Sequence, residues 1–117
     1  MFRQGVSRKI KALTAQYVAL LNGRQMSEAE KVLEKIKDGL KSKEWHEGYY
    51  NALEGIYVAS KSKDDRFVFI TRINLADKKK LNKLQKEFYK QSRSSLHTDF
   101  DKGYLTAWLE YVRALNI

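Results

Sequence analysis

Residues 45–52 read WHEGYYNA and residues 100–107 read FDKGYLTA. At an offset of 55, Trp45 falls on Phe100, Gly48 on Gly103, Tyr49 on Tyr104 and Ala52 on Ala107. The shared pattern is aromatic-x-x-Gly-Tyr-x-x-Ala, whose three- and four-residue spacings put these positions on one helix face. Glycine inside a helix costs about 1 kcal/mol relative to alanine. Two helices carrying glycine at the same point of one motif therefore point to backbones that approach closely. Gly48, Ala52, Gly55 and Ala59 extend the small-residue stripe in one helix, and Gly103 and Ala107 form it in the other. The expectation is that the two faces meet around a pseudo-two-fold axis, with Trp45, Tyr49, Phe100, Tyr104 and Trp108 at the flanks. The alternative is that each glycine only clears a neighbouring aromatic ring.

Upstream, Lys31, Leu33 and Lys35 align with Lys86, Phe88 and Lys90. A helix pair thus occurs twice, as residues 27–60 and 75–115, a pseudo-repeat with a period of about 55. The period is not the roughly 34 residues of tetratricopeptide repeats.

The apolar residues Phe2, Val6, Ile10, Leu13, Tyr17, Leu20 and Leu21 predict a first helix over residues 2–22. Asn22 and Gly23 end it, since both tolerate the left-handed conformation of a helix end. Ser27 and Glu30 read as a capping box opening a second helix, whose buried face is Ala29, Val32, Leu33, Ile36 and Leu40. The third helix runs from Ser42 to about Ser60. Residues 64–73, DDRFVFITRI, suit a strand or a buried helical turn. A lone strand would have no partner, which favours a short helix or connector. The fourth helix runs from Asn74 to about Ser94. The fifth starts at the cap Thr98, supported by Asp101, and reaches about Leu115. No linker rich in proline, glycine or serine interrupts the chain. The reading is a single all-α domain over residues 1–117, a five- or six-helix bundle.

A chain of 117 residues can bury one core without staples. It has no cysteine, which rules out disulfides, thiolate metal sites and cysteine nucleophiles and fits a reducing cytoplasm. No apolar run approaches the roughly 18 residues of a spanning helix, so no membrane partner is expected. Proline is absent too, which favours unbroken helices. Dense charge without cysteine has the character of thermophile proteins.

The net charge of +9 is unevenly spread. Residues 1–27 carry five basic side chains and no acid, and residues 61–93 carry eleven basic and four acidic. The segments 28–60 and 94–117 are slightly acidic, with five basic against seven acidic and two against three. Two positive blocks point toward a polyanionic partner. The clearest feature is a row on the fourth helix. Lys79, Lys83, Lys86, Lys90 and Arg93 follow one another at four, three, four and three residues, opposite Leu81, Leu84 and Phe88. Arg66 and Arg72 lie just upstream. Such a row can follow a phosphate backbone or an acidic protein surface; the plain alternative is a solvated face of a lysine-rich protein. Phe67, Phe69 and Tyr89 could stack on bases, but core packing explains them more simply.

His46 and His97 stand near the starts of the repeat helices, close to Glu47, Asp99 and Asp101. They are weak candidates for a metal site, because the spacing fits no helical two-histidine motif. No phosphate loop, nucleophile elbow or other catalytic signature occurs, so no catalytic residue and no cofactor is assigned. The expected function is a non-enzymatic module that binds RNA, DNA or an acidic protein through the lysine row. The second expectation is an interaction scaffold or complex subunit, with the glycine faces forming a homodimer.

Overall fold

Ser7 opens the first helix: its hydroxyl accepts the Ile10 backbone N–H at 3.2 Å, satisfying a donor that the first turn leaves orphaned. Helix α1 therefore spans Arg8–Asn22, later than the apolar pattern indicated. The computed structural model describes residues 6–62 and 78–115. Arg66, Arg72, Phe67, Phe69, the ambiguous run 64–73 and the expected helix start at Asn74 lie outside the described residues.

Helix α1 ends in a Schellman turn. Gln25 N donates to Leu20 O at 2.9 Å and Arg24 N to Leu21 O at 3.1 Å. The left-handed residue is Arg24, with φ 63°, while Gly23 keeps φ −85°. This corrects the expectation that Asn22 and Gly23 would take that conformation. Helix α2 spans Met26–Gly39, so Ser27 lies inside it and does not cap it. The compact turn starts the helix too early for the Ser27–Glu30 capping box to form.

Helix α3 spans Glu44–Ser62, with Glu44 and Glu47 in its positive first turn. Helix α4 covers Lys78–Ser92 and helix α5 Asp99–Leu115. Thr98 caps α5, its hydroxyl accepting Asp101 N at 3.1 Å. Among the described residues the elements are these five helices, with no strand. The radius of gyration is 13.6 Å, close to the value of about 13 Å for a compact domain of this length.

The core is built around α3. Trp45, Tyr49, Ala52, Leu53 and Ile56 are buried against Ile10, Tyr17, Val18 and Leu21 of α1, Val32, Leu33 and Ile36 of α2, and Ala107, Tyr111 and Val112 of α5. Tyr17 donates its buried hydroxyl to the Leu53 carbonyl at 2.7 Å, so the ring fills the core without leaving its polar end unpaired.

The largest helix contact is between α3 and α5, and glycine permits it. A Cβ built on Gly48 would fall on the Phe100 carbonyl oxygen, 2.8 Å from its carbon and 3.0 Å from Tyr104 N. A Cβ on Gly103 would fall on the Trp45 carbonyl oxygen, 2.8 Å from its carbon and 3.1 Å from Tyr49 N. Each glycine thus aims a Cα hydrogen at the other helix's carbonyl, a contact found where helices come very close. The stripe stops there: Gly55 is exposed, with open space where a Cβ would go. The aromatic flanks form stacked pairs, Trp45 with Tyr49 and Phe100 with Tyr104. The outer helices are placed less evenly. Helix α4 lies along α5, whereas α2 packs chiefly on α1.

The two classes of glycine should respond oppositely to the same substitution. Gly48→Ala and Gly103→Ala force overlap with backbone atoms and should each lower stability by about 1–3 kcal/mol. Gly55→Ala meets nothing and should raise it by about 0.5–1 kcal/mol. Urea midpoints of the three variants check this, and a neutral Gly48→Ala would contradict the close approach.

Candidate functional site

Helix α4 anchors itself through half-buried Leu84 and Phe88, the latter stacked on Trp108 of α5 at 6.1 Å. Fixing that seam turns the other face to solvent. Lys79, Lys83, Lys86 and Lys90 are exposed along it, and Arg93 is exposed one residue beyond the helix end. Lys79 to Lys90 spans eleven residues, about 16 Å at the helical rise. Glu87, the i,i+4 neighbour of Lys83, accepts a hydrogen bond from Gln91 instead. Among the described residues Lys83, Lys86 and Lys90 are in no ion pair.

Tyr89 departs from the expectation of core packing. It is 46% exposed, being one residue and so about 100° around the helix from Phe88 and off the packing seam. Arg93 lies over its ring at 5.3 Å to the centroid and Arg113 of α5 at 6.0 Å. Both guanidinium groups thus pack against one aromatic ring.

Beside them α1, α4 and α5 enclose a cavity of about 410 Å³. Its lining includes Lys11, Arg93, Arg113, Glu110, Tyr89 and Trp45. Basic residues from the first helix and from the end of the fourth therefore share one concave surface. The three cations reach no carboxylate within ion-pair distance among the described residues.

Glu110 connects this cavity to the core. Tyr49 Oη donates to Glu110 Oε1 at 2.8 Å. Tyr49 Oη also lies 2.8 Å from Thr14 Oγ1, and Thr14 donates to the Ile10 carbonyl at 2.9 Å. With Glu110 ionised, two hydroxyl protons must serve three contacts. With Glu110 protonated, the protons run Glu110 to Tyr49, Tyr49 to Thr14 and Thr14 to Ile10, and every contact is filled. Burial raises the Glu110 carboxyl above its ordinary value, opposed by the Tyr49 hydrogen bond and by the charges of Lys11 and Arg113. Burial also pushes the Tyr49 hydroxyl far up, followed by the nearby Glu110 charge, so it stays protonated.

The two histidines have separate local partners. His46 Nδ1 accepts the Lys41 backbone N–H at 2.9 Å. His97 Nε2 lies 2.8 Å from Gln91 Oε1, and its Nδ1 lies 3.7 Å from Asp101. Among the described residues no three His, Cys, Asp or Glu side chains gather in a group able to hold a metal.

Lys11, Arg113, Glu110 and Thr14 were not singled out by sequence reasoning. Thr14 did carry a signal, as a polar residue on the apolar row Ile10, Tyr17 and Leu21. Glu110 is the one acid in the mostly apolar run WLEYVRAL that ends α5. Compared with known proteins, the chain matches no family, no curated protein and no solved structure. Among the described residues no helix is long and apolar enough to cross a membrane.

Since the folded state holds the Glu110 proton more tightly than the unfolded chain, this group's stabilising contribution is full below the ordinary carboxylate value of 4.5. It is lost as pH rises through the raised value. Relative to Glu110→Gln, which keeps a donor toward Tyr49, the native protein should therefore lose stability with rising pH across that window. Chemical denaturation of both proteins as a function of pH tests this, and a gain in stability with pH would refute it.

Proposed function

We propose that the protein is a non-enzymatic binding module that holds nucleic acid along the exposed cationic face of α4. The observation that carries the reading is the row Lys79, Lys83, Lys86, Lys90 and Arg93, all solvent-facing on a helix whose opposite side is fixed in the core. A rigid row of cations lowers the ordering cost of meeting a row of phosphates, and release of counterions supplies the driving force. Nothing in the row reads bases, so the binding expected from it follows charge and spacing more than sequence. An acidic protein surface is the other partner this face would suit.

The helix pairs α2–α3 and α4–α5 are read as two copies of one unit. Support comes from the reciprocal contact of Gly48 and Gly103 at an offset of 55 residues. That contact occupies both glycine faces within one chain. A homodimer or complex subunit, the competing reading, would have to use other surfaces, such as Val58 at 57% and Leu96 at 93% exposure.

Fluorescence anisotropy with labelled mixed-sequence RNA and DNA at several salt concentrations tests the reading. The variant with Lys79, Lys83, Lys86 and Lys90 replaced by glutamine should bind more weakly. Its log–log salt slope should be shallower by about 0.9 for each lysine that meets a duplex DNA phosphate. Equal binding by the native and variant proteins, or none near physiological salt, would make the row a solvated face.

A further inference from the structure

We propose that the cavity between α1, α4 and α5 is a binding site for a phosphate monoester. The inference goes beyond the cationic row and does not depend on it. Lys11 of α1, Arg93 just past the end of α4 and Arg113 of α5 converge on one concave space. Their charges sum to +3, or +2 while Glu110 is ionised, enough in either state to balance a monoester's charge of about −1.5 to −2 near neutral pH. A backbone diester carries one negative charge and leaves the site half-matched. The volume of about 410 Å³ falls within the roughly 300–1,000 Å³ of small-ligand pockets, leaving room for the group that carries the phosphate.

The donors to the anion are the cations. The hydroxyls of Ser92 and Thr106 are committed elsewhere, Ser92 donating to Tyr89 O at 2.8 Å and Thr106 to Lys102 O at 2.7 Å. Tyr89 contacts both Arg93 and Arg113 through its ring. Planar guanidinium groups suit two oxygens of a tetrahedral anion at once.

Glu110 gives the site a distinctive behaviour. The groups facing it are Tyr49 on α3, Lys11 on α1, Arg113 on its own helix, and Arg93 and Tyr89 across the cavity on α4 and its end. An entering anion repels the carboxylate and favours its protonated form, which also completes the hydrogen-bond chain to Thr14. Binding should therefore take up a proton, and affinity should rise as pH falls. Glu110→Gln should bind the anion more tightly and without proton uptake at that group.

A free small molecule and the end of a nucleic acid both present this phosphate, and two arms separate these sources. Isothermal titration at constant ionic strength compares adenosine 5′-monophosphate with adenosine. Anisotropy compares one oligonucleotide bearing a 5′-phosphate with the same oligonucleotide bearing a 5′-hydroxyl. The expected result is a phosphate advantage of at least about tenfold in one arm, lost in Arg113→Gln and in Lys11→Gln and retained when Lys79, Lys83, Lys86 and Lys90 are glutamine. Both cavity substitutions are at exposed positions, and circular dichroism checks that the variants fold. Inorganic sulfate, which does not titrate in this range, serves for the proton-uptake measurement in two buffers of different ionisation enthalpy. An advantage in the nucleotide arm alone assigns the site to small phosphate monoesters, and one in the oligonucleotide arm alone to nucleic-acid ends. No advantage in either arm, or one that survives both cavity substitutions, overturns the proposal.

Discussion

The rest of the structure depends on the approach of α3 to α5 at Gly48 and Gly103. Each glycine is the place where the other helix's carbonyl sits, so neither tolerates a side chain without separating the pair. Close packing at this point brings Ala52 and Ala107 into the core and stacks aromatic rings on either side. The intrinsic helix penalty of two glycines is offset by dispersion and by Cα–H contacts to carbonyls, none of which form at larger separation. Everything that α5 carries, including the wall of the cavity, is placed by this crossing.

Tyr49 shows how the crossing and the cavity are joined. It belongs to the repeated motif and is buried beside Gly48, yet its hydroxyl spans to Glu110 on α5 and Thr14 on α1. Its counterpart in the motif, Tyr104, is only half-buried, and the surroundings differ because α2 and α4 sit differently around the central pair. Gly48 and Gly103 make the same kind of contact, whereas Tyr49 and Tyr104 have different surroundings. The titratable relay is on one side only, where α1 supplies the hydroxyl of Thr14.

The positive charge is organised at two scales. Along α4 it is a row in open solvent, where attraction is long-ranged, screened by salt and tolerant of many partners. At the end of that row Arg93 turns into a cavity with Lys11 and Arg113, where partial enclosure strengthens each charge and a carboxylate tunes the total. A ligand presenting a single concentrated charge suits the second arrangement, and a repeating polyanion suits the first.

The helices, the face each one buries and the glycine contact were legible in the amino-acid sequence. These follow from local rules of period, capping and steric size that act over three or four residues. The limits of local reading are visible at the helix ends: Arg24 takes the left-handed position beside an available Gly23, and Ser27 is absorbed into α2, because the compact turn decides which residue lands where. The solvent exposure of Tyr89 was not legible, since it depends on how narrow a seam α4 presents to α5. The cavity was not legible either. Lys11, Arg93, Glu110 and Arg113 are separated by up to about a hundred positions in the chain, and no spacing relates them. Their juxtaposition, and the hydrogen bond that ties Glu110 to Tyr49 in the core, exist only once α1, α3, α4 and α5 are packed together, because electrostatic coupling depends on distance through space and not along the backbone.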